Sequence, residues 1–198
     1  MTPDCPHSRH MRLFWTWGLP VALLLVGCEQ PGSPGASAKA PAVGTASATN
    51  RSDEPHYHLD HAQPPLPTVK LWIGSQEMAA EICTSVTQIS TGMMFRQSIG
   101  PNDGMLFVFG GTDRRSFYMK NVPIDIAAAY LDSEGVVQEI VQLKQQEVTP
   151  VPSQSANIQF VLETAPDWFT RNGVGPGTLI RAERGSLREV FARQAVLR

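Results

Sequence analysis

From residue 68 to residue 183 the chain is a succession of short apolar runs, each closed within a few residues by Gly, Pro, Asn or Asp. That punctuation constrains the fold more than any other feature, because a strand buries a face with about five residues where a helix needs about ten. Residues 69–73 read as a strand closed by the turn Gly74-Ser75, and residues 81–87 as a second. Residues 104–109 form a dense apolar strand ended by Gly110-Gly111, and 116–119 another. Residues 126–131 and 136–143 flank the turn Asp132-Ser133-Glu134-Gly135, and 159–163 and 178–182 complete a set of eight. So many short strands predict a mostly β fold, a compact β-sandwich or barrel-like single domain. Residues 92–96 and 166–172 are its one or two short helices. The 16 Gly and 16 Pro likewise suit turns better than a helical bundle.

Upstream of residue 68 the chain changes character. Arg9 and Arg12 precede the apolar stretch 13–26, and small Gly27 stands before Cys28. Basic flank, short apolar region and small residue make a secretory signal, too short to span a bilayer core that needs about 20 residues. Gly27-Cys28 resembles a bacterial lipobox, which implies a lipoprotein signal peptide over 1–27 and a lipid on the Cys28 thiol. Translation starting at Met11 leaves the signal complete. More than one acyl chain anchors stably, so the expected location is the periplasmic side of a bacterial envelope. Glu29 after the cysteine favours the outer membrane in a diderm. Residues 28–67 are rich in Pro, Gly, Ser and Ala without apolar periodicity, as in a disordered tether. The tail 184–198 carries four Arg against Glu189, with Leu187, Val190 and Phe191 on one helical side. It suits either a basic amphipathic helix on lipid headgroups or a helix covering a sheet edge.

Several function classes are excluded. Lys and Arg number 16 against 18 Asp and Glu, a net charge of -2, so no basic stripe exists for nucleic acid. With Cys5 lost with the signal and Cys28 lipidated, Cys83 alone remains, which excludes a disulfide framework and a four-cysteine zinc site. No histidine follows His61 to activate Cys83 as a nucleophile. His56-Tyr57-His58-Leu59-Asp60-His61 matches the H-x-H-x-D-H pattern of metallo-β-lactamase-like hydrolases, but the later histidine ligands are missing. No resident metal or cofactor is expected.

Three ordered motifs carry a resemblance. They are Gly92-Met93-Met94-Phe95-Arg96, Asp103-Gly104-Met105-Leu106-Phe107-Val108-Phe109, and Phe117-Tyr118-Met119-Lys120-Asn121-Val122-Pro123-Ile124-Asp125-Ile126. In order and spacing they resemble the family called domain of unknown function 192, over residues 69–181. The resemblance implies a compact sandwich-like domain, often secreted or lipid-anchored, with no settled activity. Met93 stands for a usual Leu, Tyr118 for a usual Trp, and Thr178 for a usual Asp.

The polar residues of these motifs lie among core positions, where an unpaired charge costs several kcal/mol. Arg96 and Lys120 then bind an anionic or hydroxyl-rich ligand, Asn121 orients it, and Asp103, Asp125 or Glu163 completes the hydrogen bonds. Tyr118 stacks on a sugar ring. Alternatively Arg96, Lys120 and the carboxylates are ion pairs that fix turns. The expected role is a lipid-anchored module binding a saccharide, an anionic ligand or an envelope protein. The rival is a hydrolase using two of Asp103, Asp125 and Glu163 on an envelope polysaccharide. Met93, Met94, Met105 and Met119 suit a soft metal, or core filler.

Overall fold

The computed structural model describes residues 57–196, with side chains through residue 192. The signal segment, Cys28, residues 28–56 of the tether and His56 lie outside the described residues. The elements are β1 (Thr68–Ile73), β2 (Gln76–Cys83), α1 (Val86–Thr91), β3 (Asp103–Asp113), β4 (Ser116–Phe117), β5 (Ile126–Leu131) and β6 (Val137–Leu143). There follow β7 (Val151–Pro152), β8 (Ile158–Thr164), α2 (Trp168–Arg171), β9 (Ile180–Ala182), β10 (Gly185–Ser186) and α3 (Leu187–Val196). Eight strands form one mixed sheet in the order β10-β9-β1-β2-β3-β8-β5-β6, and β4 pairs with β7 apart from it. The fold is mostly β, as expected, but the sheet does not close into a barrel and the helices number three among the described residues. None of those helices is long and apolar enough to cross a membrane.

Local chemistry sets the topology. Gly74, at φ +61, turns β1 into β2 with Ile73 opposite Gln76. The Asp132 carboxylate accepts from the Glu134 and Val136 amides at 2.9 Å, which shapes the turn between β5 and β6. Gly135 completes that turn at φ +86, where a Cβ would stand 2.6 Å from the Ile180 carbonyl oxygen. The one parallel pair among the described residues, β2 with β3, needs a crossover, and α1 supplies it. Ser85 and Gln88 make a capping box at the start of α1.

This corrects the second expected strand. It lies at Gln76–Cys83, not 81–87, because Ser85 caps a helix; residues 92–96 are the turn after that helix rather than a helix themselves.

Pleat alternation gives the sheet two buried faces. Leu71, Ile73, Met78, Leu106, Phe160 and Leu162 build the first core, covered by Trp168 and Phe169 of α2 and by Leu187 and Phe191 of α3. Leu187 and Phe191 of α3 are therefore spent on the domain, with Phe191 6.0 Å from Phe160. The folded part thus runs past residue 183. Met105, Phe107, Ala128, Tyr130 and Val161 build the second core, under Met93, Met94, Met119 and Val122 from the connecting segments.

The second face also draws in residues 57–67, which were expected in the tether. Gln63 is 5% exposed; its Nε2 donates to the Gly92 carbonyl at 2.8 Å and lies 3.9 Å from the Cys83 sulfur. The Leu66 amide donates to Glu81 Oε2 at 2.7 Å. A Pro-rich strap with fixed hydrogen bonds needs no apolar periodicity, so the pattern gave no sign of it.

Candidate functional site: a cleft above Glu163

Strand β8 lies between β3 and β5, antiparallel to both, with Glu163 opposite Met105 on one side and Ala128 on the other. The pleat turns its side chain onto the second face, and small Ala128 leaves space there. Glu163 is 4% exposed, and its Oε2 has no hydrogen-bond partner. Buried polar atoms are nearly always paired, so this orphan is unusual. Burial disfavours the charged form and pushes the carboxyl up to about 8. Burial thus favours the protonated acid, which can donate one hydrogen bond.

Glu163 lines a cleft of about 330 Å³. Met93, Met94 and Met119 give it thioether walls, and Phe107 and Phe117 give it rings. Those rings meet edge to face at 5.0 Å, and Phe117 in turn packs edge-on to Tyr130 at 6.0 Å. Gly92 permits this arrangement, since a Cβ there would stand 3.2 Å from Phe107 Cζ. Beside it, Phe95 (φ 64) and Asn121 (φ 60) both hold left-handed backbone, and the Phe95 amide donates to the Asn121 carbonyl at 2.7 Å. An aromatic residue in that conformation is a genuine outlier, and such strain concentrates at functional sites.

Arg114, Arg115, Ser116 and Tyr118 stand at the mouth. Arg115 lies 4.0 Å over the Phe109 ring and donates through Nε to the Ile158 carbonyl at 3.3 Å. Arg114 Nη1 donates to the Ser153 carbonyl at 2.6 Å. Neither guanidinium is within ion-pair distance of a carboxylate among the described residues.

Of the seven sequence-predicted site residues, only Glu163 and Tyr118 line this cleft. Arg96 and Asp103 line a second hollow of about 320 Å³. There Arg96 is committed to a two-pronged pair with Glu81, with Nη2 2.8 Å from Oε2. Burial alone would raise the Glu81 carboxyl, but the Arg96 hydrogen bonds, the Leu66 amide and the Arg96 charge outweigh it and hold it below the usual range. Asp125 is taken by the Gln145 amide at 2.8 Å and by Lys144 at 2.9 Å, which lower its carboxyl in that order of importance. Lys120 is exposed at a turn, and Asn121 contributes its carbonyl and its backbone conformation. Lys120, Asn121 and Asp125 line neither hollow. The single patch expected of these residues is thus divided.

Cys83 is wholly buried; burial first, then the nearby Glu163, pushes its thiol up to about 12, so it stays protonated and unreactive. His61 meets Asp60 at 2.6 Å on the exposed surface. Among the described residues no three His, Cys, Asp or Glu side chains stand together as a metal-holding group. Sequence reasoning missed Arg114 and Arg115, adjacent basic residues between two apolar strands. It also missed Glu81 and Gln63, whose partners lie far along the chain.

The architecture is that of a small mixed-sheet domain with a connecting-segment cover over one face. The chain belongs to the DUF192 family, described as uncharacterized ACR, whose model matches residues 69–182. Two crystal structures are similar in fold. One is of a candidate transcription regulator from Sinorhizobium meliloti 1021, with 23% identity, a TM-score of 0.58, and coverage of 61% of this chain and 98% of that one. The other is of a protein of unknown function from Novosphingobium aromaticivorans DSM 12444, with 24% identity, a TM-score of 0.55, and coverage of 59% and 86%. No curated protein is a significant match to the chain.

Proposed function

We propose that this chain is a lipid-anchored envelope protein whose folded domain captures a small ligand in the cleft above Glu163. The observation that carries the reading is that Glu163, a buried carboxyl whose Oε2 has no hydrogen-bond partner, lines a cleft of mixed apolar and polar walls. A hydrogen-bonding group left unpaired costs free energy, and a bound acceptor returns it. The volume falls at the low end of small-molecule sites. Hydrolysis is less well supported: two carboxylates must flank the reacting bond, and of Asp103, Asp125 and Glu163 only Glu163 lines the cleft. The anchor rests on the Gly27-Cys28 pattern alone.

A thermal-shift screen of the full chain against a chemically mixed small-molecule library tests the binding reading. Ser116→Trp, at an exposed mouth position, serves as the blocked control. Compounds that stabilise the native chain and lose their effect in this variant support the cleft. A library with no such compound refutes it. Incorporation of radiolabelled palmitate, abolished in Cys28→Ser, tests the anchor.

A further inference from the structure

The two ends of the cleft differ in chemistry, and the difference defines the ligand. Glu163, the buried carboxyl that lines the cleft, has one oxygen without a hydrogen-bond partner. At the mouth stand Arg114 and Arg115, neither within ion-pair distance of a carboxylate among the described residues, with the Asp113 carboxylate near enough to act on Arg115 but not paired with it. Arg115 is fixed as wall by the Phe109 ring and by the Ile158 and Gly111 carbonyls. Arg114 gives only Nη1 to the Ser153 carbonyl and is otherwise exposed, so its remaining N–H groups are open to a ligand. Between the ends, Met93, Met94, Met119, Phe107 and Phe117 give thioether and aromatic walls, with Ser90 and Thr91 also lining the cleft.

We infer that the ligand is a small organic anion with an apolar, ring-sized body. Its anionic group meets Arg114 at the mouth, and its body lies among Met93, Met94, Met119, Phe107 and Phe117. An oxygen at its far end hydrogen-bonds the Glu163 carboxyl. Unpaired positive charge at a mouth attracts anions and repels cations, and a guanidinium grips a carboxylate through paired N–H groups. This inference rests on the reading of the cleft as the binding site.

Calorimetric titration of the full chain with 4-hydroxyphenylacetate, 4-ethylphenol and tyramine tests it. The three probes share a hydroxyl-bearing ring and carry a negative, neutral or positive group at the other end. The anion is expected to bind about tenfold more tightly than the phenol, and tyramine more weakly than either. Arg114→Ala, a change at an exposed residue, should bring the anion level with the phenol. Glu163→Leu should weaken both by about tenfold, while Glu163→Gln, whose amide still donates, should hold within about threefold. Tightest binding by tyramine would overturn the inference, since Glu163 would then be an anion paired with a ligand cation. Equal binding of anion and phenol, indifferent to Arg114→Ala, would overturn the role of the mouth. Full affinity in Glu163→Leu would overturn the inner contact. Binding by none of the three refutes the ligand class, while the library screen separately decides whether the cleft binds anything.

Discussion

Replacing Glu163 by Gln should make the domain relatively more stable as pH rises, and the size of the effect follows from burial. In the unfolded chain the carboxyl titrates at its ordinary value of 4.5, and in the fold it is pushed up to about 8. A raised folded value means that the fold prefers the protonated form. This group's contribution is fully present below 4.5 and is lost as pH climbs towards 8, because only the unfolded chain has released its proton in that window. The loss runs at about 1.4 kcal/mol per pH unit, so it accumulates to about 5 kcal/mol. Glutamine is neutral throughout and escapes the loss. Urea unfolding of the native chain and of Glu163→Gln, followed by tryptophan fluorescence at pH 5, 6, 7, 8 and 9, measures the gap; buried Trp168 reports on the first core. The gap should widen in favour of Gln between pH 5 and 8 and then level off. The Cys83 and Tyr130 titrations that Glu163 influences are pushed by burial well above this pH range, so they contribute little to the difference. In melting temperature the full gap is about 10 to 20 °C, at about 2 to 4 °C per kcal/mol. A gap that stays constant across the range would show that Glu163 titrates as an ordinary carboxyl, and the neutral-donor argument would fail with it.

Arg96→Ala leaves Glu81 half-buried without its cation and should destabilise the domain by about 2 kcal/mol, between the values for exposed and buried pairs. The lowered Glu81 carboxyl contributes stability that is lost as pH falls below its ordinary value, so equilibrium unfolding of this variant should depend less on pH on the acid side than that of the native chain. Gly104→Ala places a Cβ 2.7 Å from the Met78 sulfur and 3.0 Å from the Glu163 carbonyl oxygen, and should lower stability to chemical denaturation by about 1 to 3 kcal/mol through overpacking. In Cys28→Ser, with Cys5 also replaced, Cys83 should resist an aromatic disulfide reagent in the native state and react only at the rate of unfolding; fast native labelling would contradict its burial.

The strands were legible wherever alternation or a dense apolar run met turn residues, as at β1, β3, β5, β6 and β8. The second strand was not, because Ala79 and Ala80 are weak strand formers and the apolar spacing of that stretch fits no single period. Its boundary was nonetheless written in Ser85-Val86-Thr87-Gln88, a capping-box sequence that stops a strand at Cys83. The burial of Glu163 could be read from its place at the end of Phe160-Val161-Leu162. Its lack of a partner could not, since that depends on which side chains β3 and β5 bring opposite it. Likewise the Arg96–Glu81 pair spans 15 residues and exists only through the parallel register that sets Glu81 against Met105. The structure therefore sets the residues chosen by motif in separate places, with Glu163 and Tyr118 at one hollow and Arg96 and Asp103 at another.

The two faces of the sheet explain why the cleft lies where it does. On the first face, two helices press Trp168, Phe169, Leu187 and Phe191 onto the strands, and large rigid rings leave little freedom. On the second face the cover is irregular backbone, held by Gln63, by the Phe95–Asn121 hydrogen bond and by the short β4–β7 pair. Irregular backbone cannot interdigitate with a sheet as a helix does, and the space it leaves is filled by methionines, whose unbranched side chains adapt to an irregular surface. A neutral carboxyl can persist at the bottom of such a space because burial suppresses its charge, whereas a fixed cation there would demand a counter-ion. Rigid packing on one side thus holds the strand that carries Glu163, and an adaptable cover on the other leaves a cleft above it.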